Sequence, residues 1–482
     1  MGVQTQGVYT RAVKGSVVNA ATSIAELALG FGGSIVLARI LDPVHFGIFA
    51  FAMVFVAVFD GLSSFQTQSY VIQSKENVKR TMSVGFTVEL IAAAAAVILL
   101  LLTSPHIFRA LGRSEQVLLT QVFAFWILVR PFRVARVAFI KELGFVQVSV
   151  ALLAGIIVGT SLKIGLALTG WGAWSLMIGT IAVTVVECAI VWSVVPCRPG
   201  LSLDRGILWD VIRFGTPLLI LTLLLQVWTK IGDFMVGNLM DDYGLGVYYL
   251  AYRIPFFMMI LGQSVVQTAF PALSKAENRD QLTKGFQLTT KMTFMLFCLP
   301  VAVCVVWAPE MITLLYGERW LPAAEPLRIF VLIPLAHFTV VHFGDLHKTQ
   351  GRTKEPMYVM LGQVIFVAPV GYLLLNAFGL RGIAVAILAA EIAPLPLISW
   401  MVNRFVTMNY FLVLWRTATV AGTALVLGVL LKDLAGGRVW AMVLIMLMQC
   451  VLYLIGITLV EREDVGRVRS EVWNILKRRA GL

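Results

Sequence analysis

Val84-Gly85-Phe86-Thr87-Val88-Glu89-Leu90-Ile91, five alanines at 92–96, and Val97-Ile98-Leu99-Leu100-Leu101-Leu102-Thr103-Ser104 form a run of 21 residues with a single charge. A hydrocarbon core about 30 Å thick needs roughly 20 such residues in a helix. A helix also satisfies every backbone polar group within one segment, which lipid demands and an isolated strand cannot do. The run therefore reads as a membrane span.

Working outward, similar runs bounded by charge, Pro and Gly predict helices near 17–38, 46–66, 84–104, 117–140, 148–168, 173–195, 212–238 and 245–272. Six more follow near 287–308, 327–345, 357–377, 382–402, 411–432 and 437–460. The expected fold is all-α, a polytopic membrane protein with about 14 transmembrane helices. The whole chain agrees: of 482 residues 59% are hydrophobic and 13% charged, and the mean hydropathy is +0.87. A soluble domain runs about 45–50% apolar and about 25% charged, so a cytosolic enzyme is excluded. The first apolar run follows Arg11 and Lys14 as a leader peptide would, but it exceeds twenty residues and is expected to stay as the first span. Cys188, Cys197, Cys298, Cys304 and Cys450 show no metal-ligand spacing and are odd in number, so they read as packing residues.

The basic residues test the span count, because cytoplasmic loops carry the excess of Lys and Arg. The side holding the N-terminus collects 27 of them, the other side nine, and two, Lys230 and Arg253, fall inside spans. Both termini are therefore expected in the cytoplasm. The net charge of +12 is then explained by loops facing anionic lipid, with no nucleic-acid partner required. The tail 461–482 places Val465, Val468, Val472, Ile475 and Leu476 at helical spacing among arginines and lysines, as a helix lying on the membrane surface would.

An internal repeat suggests the domain plan. Gly47 to Ala52, then Gln66-Thr67 and Ser74-Lys75-Glu76-Asn77, parallels Gly246 to Ala251, then Gln267-Thr268 and Ser274-Lys275-Ala276-Glu277-Asn278. The offset of about 200 residues spans six helices, which predicts two parallel pseudo-symmetric six-helix lobes with the substrate path between them. The expected domains are 1–210 and 211–405 for the lobes, 406–460 for a C-terminal helix pair and 461–482 for the basic tail.

Catalytic signatures are absent. No Gly-Lys-Ser/Thr cradles a phosphate, and no His-Glu-x-x-His binds zinc. His337, His342 and His347 lack a carboxylate-rich loop and read as interfacial helix residues. With no large external segment, the chain is expected to transport and not to catalyse, with no metal or cofactor and with coupling to H+ or Na+.

Ionisable residues inside spans cost roughly 2.5–3.5 kcal/mol each on insertion scales, so they mark a cavity or a partner. Lys230 and Asp233 are three apart and share a helix face, and Arg253 falls at a matching depth on the next span, about 12 Å below the outer surface. Two cations and one anion suit an anionic headgroup, or else an ion-pair network that locks the hairpin. Trp228 and Tyr252 nearby suit sugar stacking, or a membrane-interface belt. Glu26, Asp60 and Glu187 are candidates for binding a coupling ion, with satisfaction by neighbouring hydroxyls or Asn19 as the alternative.

Three stretches resemble the polysaccharide-transporter branch of the multidrug, oligosaccharidyl-lipid and polysaccharide flippase superfamily, the Wzx-type flippases. They are Ala38-Arg39-Ile40-Leu41-Asp42-Pro43-Val44-His45-Phe46-Gly47; the segment from Asp233 through Gly246 to Ala251-Tyr252-Arg253, ending in Phe270-Pro271-Ala272-Leu273-Ser274; and Leu315-Tyr316-Gly317-Glu318-Arg319-Trp320-Leu321-Pro322-Ala323-Ala324, leading to Pro326-Leu327-Arg328. The resemblance implies two six-helix lobes around a cationic cavity and a further helix pair in a bacterial inner membrane. By alternating access they would carry an undecaprenyl-pyrophosphate-linked oligosaccharide from the cytoplasmic to the outer leaflet for exopolysaccharide, capsule or O-antigen synthesis. The cavity would hold the pyrophosphate, which fits Lys230 and Arg253, while Arg130, Arg133 and Arg136 read as lying at an inner helix end. Implied partners are the lipid-linked oligosaccharide, membrane lipids, and polysaccharide polymerase and chain-length regulator proteins. The alternative is a cation-coupled multidrug efflux antiporter of the same superfamily, which the surplus of cations opposes. A more distant rival is a non-transporting scaffold. Fluorescent-protein fusions at the C-terminus are expected to fluoresce and phosphatase fusions there to stay inactive; the reverse pattern contradicts cytoplasmic termini.

Overall fold

The computed structural model describes residues 2–141, 144–274, 276–350, 352, 354–462 and 466. The expected amphipathic tail falls almost entirely outside them. Among the described residues there is no strand, and twelve helical segments are long and apolar enough to cross a bilayer. A thirteenth is the pair Glu318–Phe330 and Ile333–His347, bent by 42°.

One of the twelve, Lys354–Val402, runs 49 residues. At 1.5 Å per residue that is over twice the bilayer core, so it must fold back. It does so at Gly379, whose φ of 58° and ψ of −141° break the helix. A Cβ on Gly382 would lie 1.8 Å from the Leu374 carbonyl oxygen, an approach that a straight helix forbids for residues eight apart. Gln363 donates to the Ala390 carbonyl across the same hairpin at 3.2 Å. Counted as two antiparallel helices, it brings the described spans to the fourteen expected.

By packing, the chain divides into two compact units, Met1–Tyr249 and Leu250–Leu482. Helix Arg205–Leu239, which the repeat pattern assigns to the second lobe, packs within the first unit against Pro43–Ser63. In the second unit the helix pair Tyr410–Lys432 and Val439–Val460 packs on Arg279–Tyr316. Polar side chains tie it there: Trp307 Nε1 donates to Gln449 Oε1 at 2.8 Å, Gln449 Nε2 to the Ala424 carbonyl at 2.9 Å, and the Tyr453 hydroxyl to the Met295 carbonyl at 2.7 Å. Such bonds hold helices together where lipid tails remove the hydrophobic drive between them. Leu444, Leu447, Val451 and Leu454 of the last helix stay exposed, as a lipid-facing side requires.

Within the first unit, the two repeat copies meet. A Cβ on Gly47 would lie 1.8 Å from the Asp242 carbonyl oxygen, and one on Gly246 would lie 1.8 Å from that of Pro43. Pro43 precedes Gly47 by four residues, and Asp242 precedes Gly246 by four. The contact is thus reciprocal, the signature of a local two-fold between the two helix starts. Arg113 reinforces it by donating to the Asp242 carboxylate and to the Gly237 carbonyl, and Gln116 Nε2 donates to Asp242 Oδ2 at 2.8 Å. Gly47→Ala is expected to force these backbones apart and cost about 1–3 kcal/mol as overpacking. Gly422→Ala, where an added Cβ meets nothing within 4 Å, is the matched control. Thermal unfolding of the two purified variants in detergent checks this, and equal melting temperatures would contradict it.

Candidate functional site

The span Ser114–Lys141 is not one helix. It comprises Val117–Phe123, Phe125–Val129, a six-residue 3-10 segment Arg130–Ala135, and Arg136–Lys141. Pro131 has no N–H to bond the carbonyl one turn back, so the α-helical ladder cannot continue through it. A 3-10 helix has three residues per turn and eclipses side chains three apart. Arg130, Arg133 and Arg136 therefore stack in one column, and the backbone of Arg136, with φ −59° and ψ −29°, keeps the register.

That column faces two buried carboxylates. Arg130 Nη1 bonds Asp60 Oδ2 at 2.7 Å, from helix Pro43–Ser63. Arg133 Nη2 bonds Glu187 Oε2 at 2.9 Å and Thr184 Oγ1 at 3.4 Å, and Arg136 Nη1 lies 2.9 Å from Glu187 Oε1, both from helix Ala173–Val194. Asp60 and Glu187 are buried, at 2% and 0% exposure, so each needs the cation it has. The arginines are not sealed in: their side chains keep 19%, 24% and 23% of their surface. Three permanent cations pair with these two carboxylates, and Glu89 lies close enough to Arg130 for their charges to interact. The Nε–H donors of Arg133 and Arg136 are buried without an acceptor among the described residues. Glu26, on helix Gly2–Ile40, is close enough to Glu187, Arg133 and Arg136 for their charges to act on one another.

The residues chosen from the sequence divide between the units. In the first, Lys230 Nζ bonds Asp233 Oδ2 at 2.7 Å, the i,i+3 pair that the spacing implies, with Trp228 half-buried on the same helix. In the second, helix Arg253–Ser274 starts one residue after Asp242–Ala251 ends, and Tyr252 sits at the break. The Tyr252 ring meets Phe330 edge-on at 5.3 Å, and the Arg253 guanidinium lies 5.1 Å from the centre of the Phe257 ring. Hydropathy alone does not reveal either broken span. The arginine column was legible in the spacing of three that Arg130, Arg133 and Arg136 share; reading them as an inner helix end hid it.

Over residues 36–325 the sequence matches the polysaccharide biosynthesis protein family. Among curated relatives, the teichuronic acid biosynthesis protein TuaB of Bacillus subtilis (strain 168) is 22% identical over 357 residues, covering 73% of this chain and 70% of that protein. The lipopolysaccharide biosynthesis protein WzxC of Escherichia coli (strain K12) is 21% identical over 347 residues, 71% and 70% of the two chains. Of solved structures, the lipid II flippase MurJ in an inward closed conformation superposes with a TM-score of 0.76 at 15% identity, covering 94% of this chain and all of that one. An inward-facing multidrug resistance MATE transporter of the MOP superfamily gives 0.62 at 18% identity, covering 81% and 98%. The fold is thus that shared by MurJ and the MATE transporters.

Glu187 holds two guanidiniums and each guanidinium has other neighbours, so the losses should be unequal. Glu187→Ala strands two cations in the bilayer and is expected to cost about 3–5 kcal/mol, the range for breaking a buried pair. Arg133→Gln or Arg136→Gln alone leaves Glu187 one partner and is expected to cost less. Thermal unfolding of the three purified variants checks the order, and an Arg variant falling below Glu187→Ala would contradict it.

Proposed function

We propose, from the premise that this chain belongs to the polysaccharide biosynthesis protein family, that it flips a polyprenyl-pyrophosphate-linked oligosaccharide repeat unit from the cytoplasmic to the outer leaflet of the inner membrane. Delivery would serve exopolysaccharide, capsule or O-antigen synthesis, with polymerase and chain-length regulator proteins downstream. The observation that carries this reading is the arginine column. A planar guanidinium presents forked donors that match a phosphate in two parallel bonds, and it never gives up its charge. The column offers three such groups inside a bilayer-length segment, each partly exposed. A pyrophosphate is the headgroup that uses them.

In the first unit Lys230, oriented by Asp233, would add a further cation and Trp228 a ring for the sugars; in the second, Arg253 and Tyr252 would offer the same two chemistries. Asp60 and Glu187 in this reading hold the arginines in place, and Glu26, next to them, is the carboxylate of the first unit best placed to respond to a coupling ion. The relatives support a lipid-linked cargo, since one is named for lipopolysaccharide biosynthesis, another for teichuronic acid biosynthesis, and the fold neighbour is a lipid II flippase. Alternating access would require that substrate bind one conformation of the protein better than the other, a difference that shifts the population. The MATE likeness keeps an efflux antiporter as the rival.

A strain lacking the gene is expected to accumulate polyprenyl-pyrophosphate oligosaccharide and lose surface polymer, with unchanged drug susceptibility; chromatography and mass spectrometry of its lipids read this out. Each charge-assisted bond contributes about 1.5–3 kcal/mol, so Arg133→Gln, which leaves Glu187 its Arg136 partner, should lower polymer export about tenfold or more in the complemented strain. Normal lipids with new sensitivity to cationic drugs would overturn the reading in favour of the antiporter.

A further inference from the structure

In the first unit, Asp60 and Glu187 face arginines, whose charge is permanent. In the second, Glu391 is held differently. It is 2% exposed; its Oε1 lies 2.9 Å from His337 Nδ1, and its Oε2 accepts from Gln363 Nε2 at 3.1 Å. Histidine is the side chain whose charge changes near neutral pH, so this carboxylate has a counter-charge that comes and goes. With the ring neutral and the carboxylate ionised, the cluster carries one uncompensated negative charge, which is costly to bury. One proton added to the ring brings the cluster to net zero. No other bond forms or breaks.

The other ionisable groups on the helices packed against His337 are paired elsewhere or exposed: Arg279 donates to the Asn403 carbonyl, Lys284 pairs with Asp280, and Lys354, Tyr358 and Tyr372 are exposed. His342, on the same helix, shares a hydrogen bond with Thr293 at 3.1 Å. On helix Arg279–Tyr316, Lys291 pairs with Glu461 and Glu310 with Lys432. On the hairpin, Glu355 meets His347 and Arg352, and Arg381 meets Glu325. Asp345 and Arg253 lie two turns along the histidine's own helix and at the start of the neighbouring one, and each has its own interactions.

A cavity of about 410 Å³ in the same unit reaches Gln363, the amide bonded to Glu391. Gln363 and Ala390, the two residues bonded to or beside Glu391, line one end, and Glu355, Tyr358 and Trp400 line the other. Tyr358 and Trp400 are each 60% exposed, so that end is open. It is the Lys354 end of the hairpin, which the distribution of basic residues assigns to the cytoplasm.

We propose that His337, Glu391 and Gln363 form a proton-binding site in the second unit, beside the cavity that Gln363 lines, and that its loading and unloading are coupled to substrate movement. Gln363 is the positioning residue, fixing the carboxylate while the proton exchanges. The coupling half rests on the flippase reading; the proton site does not.

The test uses the full chain in nanodiscs with ¹⁵N-labelled histidine, where the His337 signal is identified by its loss in His337→Asn. The ring is expected to pass from protonated to neutral between about pH 5 and 8. In Glu391→Gln the ratio of protonated to neutral ring at neutral pH should fall about tenfold or more. A ring that stays neutral throughout, or one indifferent to Glu391→Gln, would overturn the proton site; if that variant does not fold, the wild-type titration alone decides. Polymer export under an imposed pH gradient then tests coupling. Export that ignores the gradient, in a protein whose His337 titrates, would overturn the coupling and leave the flippase reading standing; export abolished under all conditions with titration intact would point to failure of that reading.

Discussion

A carboxylate in a bilayer-length segment has no water to stabilise it, so it must be met by a cation or surrender its charge to a proton. Three deep carboxylates of the two units illustrate this. Asp60 and Glu187 are met by Arg130, Arg133 and Arg136, whose charge is permanent. Glu391 is met by a histidine and an amide. The backbone obeys the same constraint. A 3-10 segment appears where Pro131 removes a donor, the Gly379 break lies between two spans, and the bend between Phe330 and Ile333 falls at buried residues.

Much of the fold was legible because lipid imposes length and polarity rules that few sequences satisfy by accident. The run at 84–104 stands within Val78–Ala110, and the spans at 148–168 and 173–195 coincide with Phe145–Leu168 and Ala173–Val194 to within a few residues. The turn between 377 and 382 was visible in sequence, although backbone hydrogen bonding alone runs the two helices together. The repeat was visible as Gly47 and Gly246, and the reciprocal approach of each glycine to the other's helix start gives a physical reason for both: no side chain fits there.

The site was less legible because hydropathy reports how apolar a helix is and not where it breaks. Arg130, Arg133 and Arg136 lie late in their span and pass for an inner boundary until the 3-10 register stacks them against Asp60 and Glu187. The Lys230–Asp233 pair, by contrast, was written in its spacing of three. His337 passed for an interfacial residue because its partner lies 54 positions away on another helix. Pairings of that range are set by tertiary packing, which no local pattern encodes.

The central claim is that the cationic column recognises a pyrophosphate. Native mass spectrometry of the purified protein with undecaprenyl pyrophosphate, against the same protein with undecaprenol, tests it most directly. Selective retention of the pyrophosphate lipid, weakened in Arg133→Gln, which leaves Glu187 paired with Arg136, is the expected result. Equal retention of both lipids, or retention unchanged in Arg133→Gln, would contradict it.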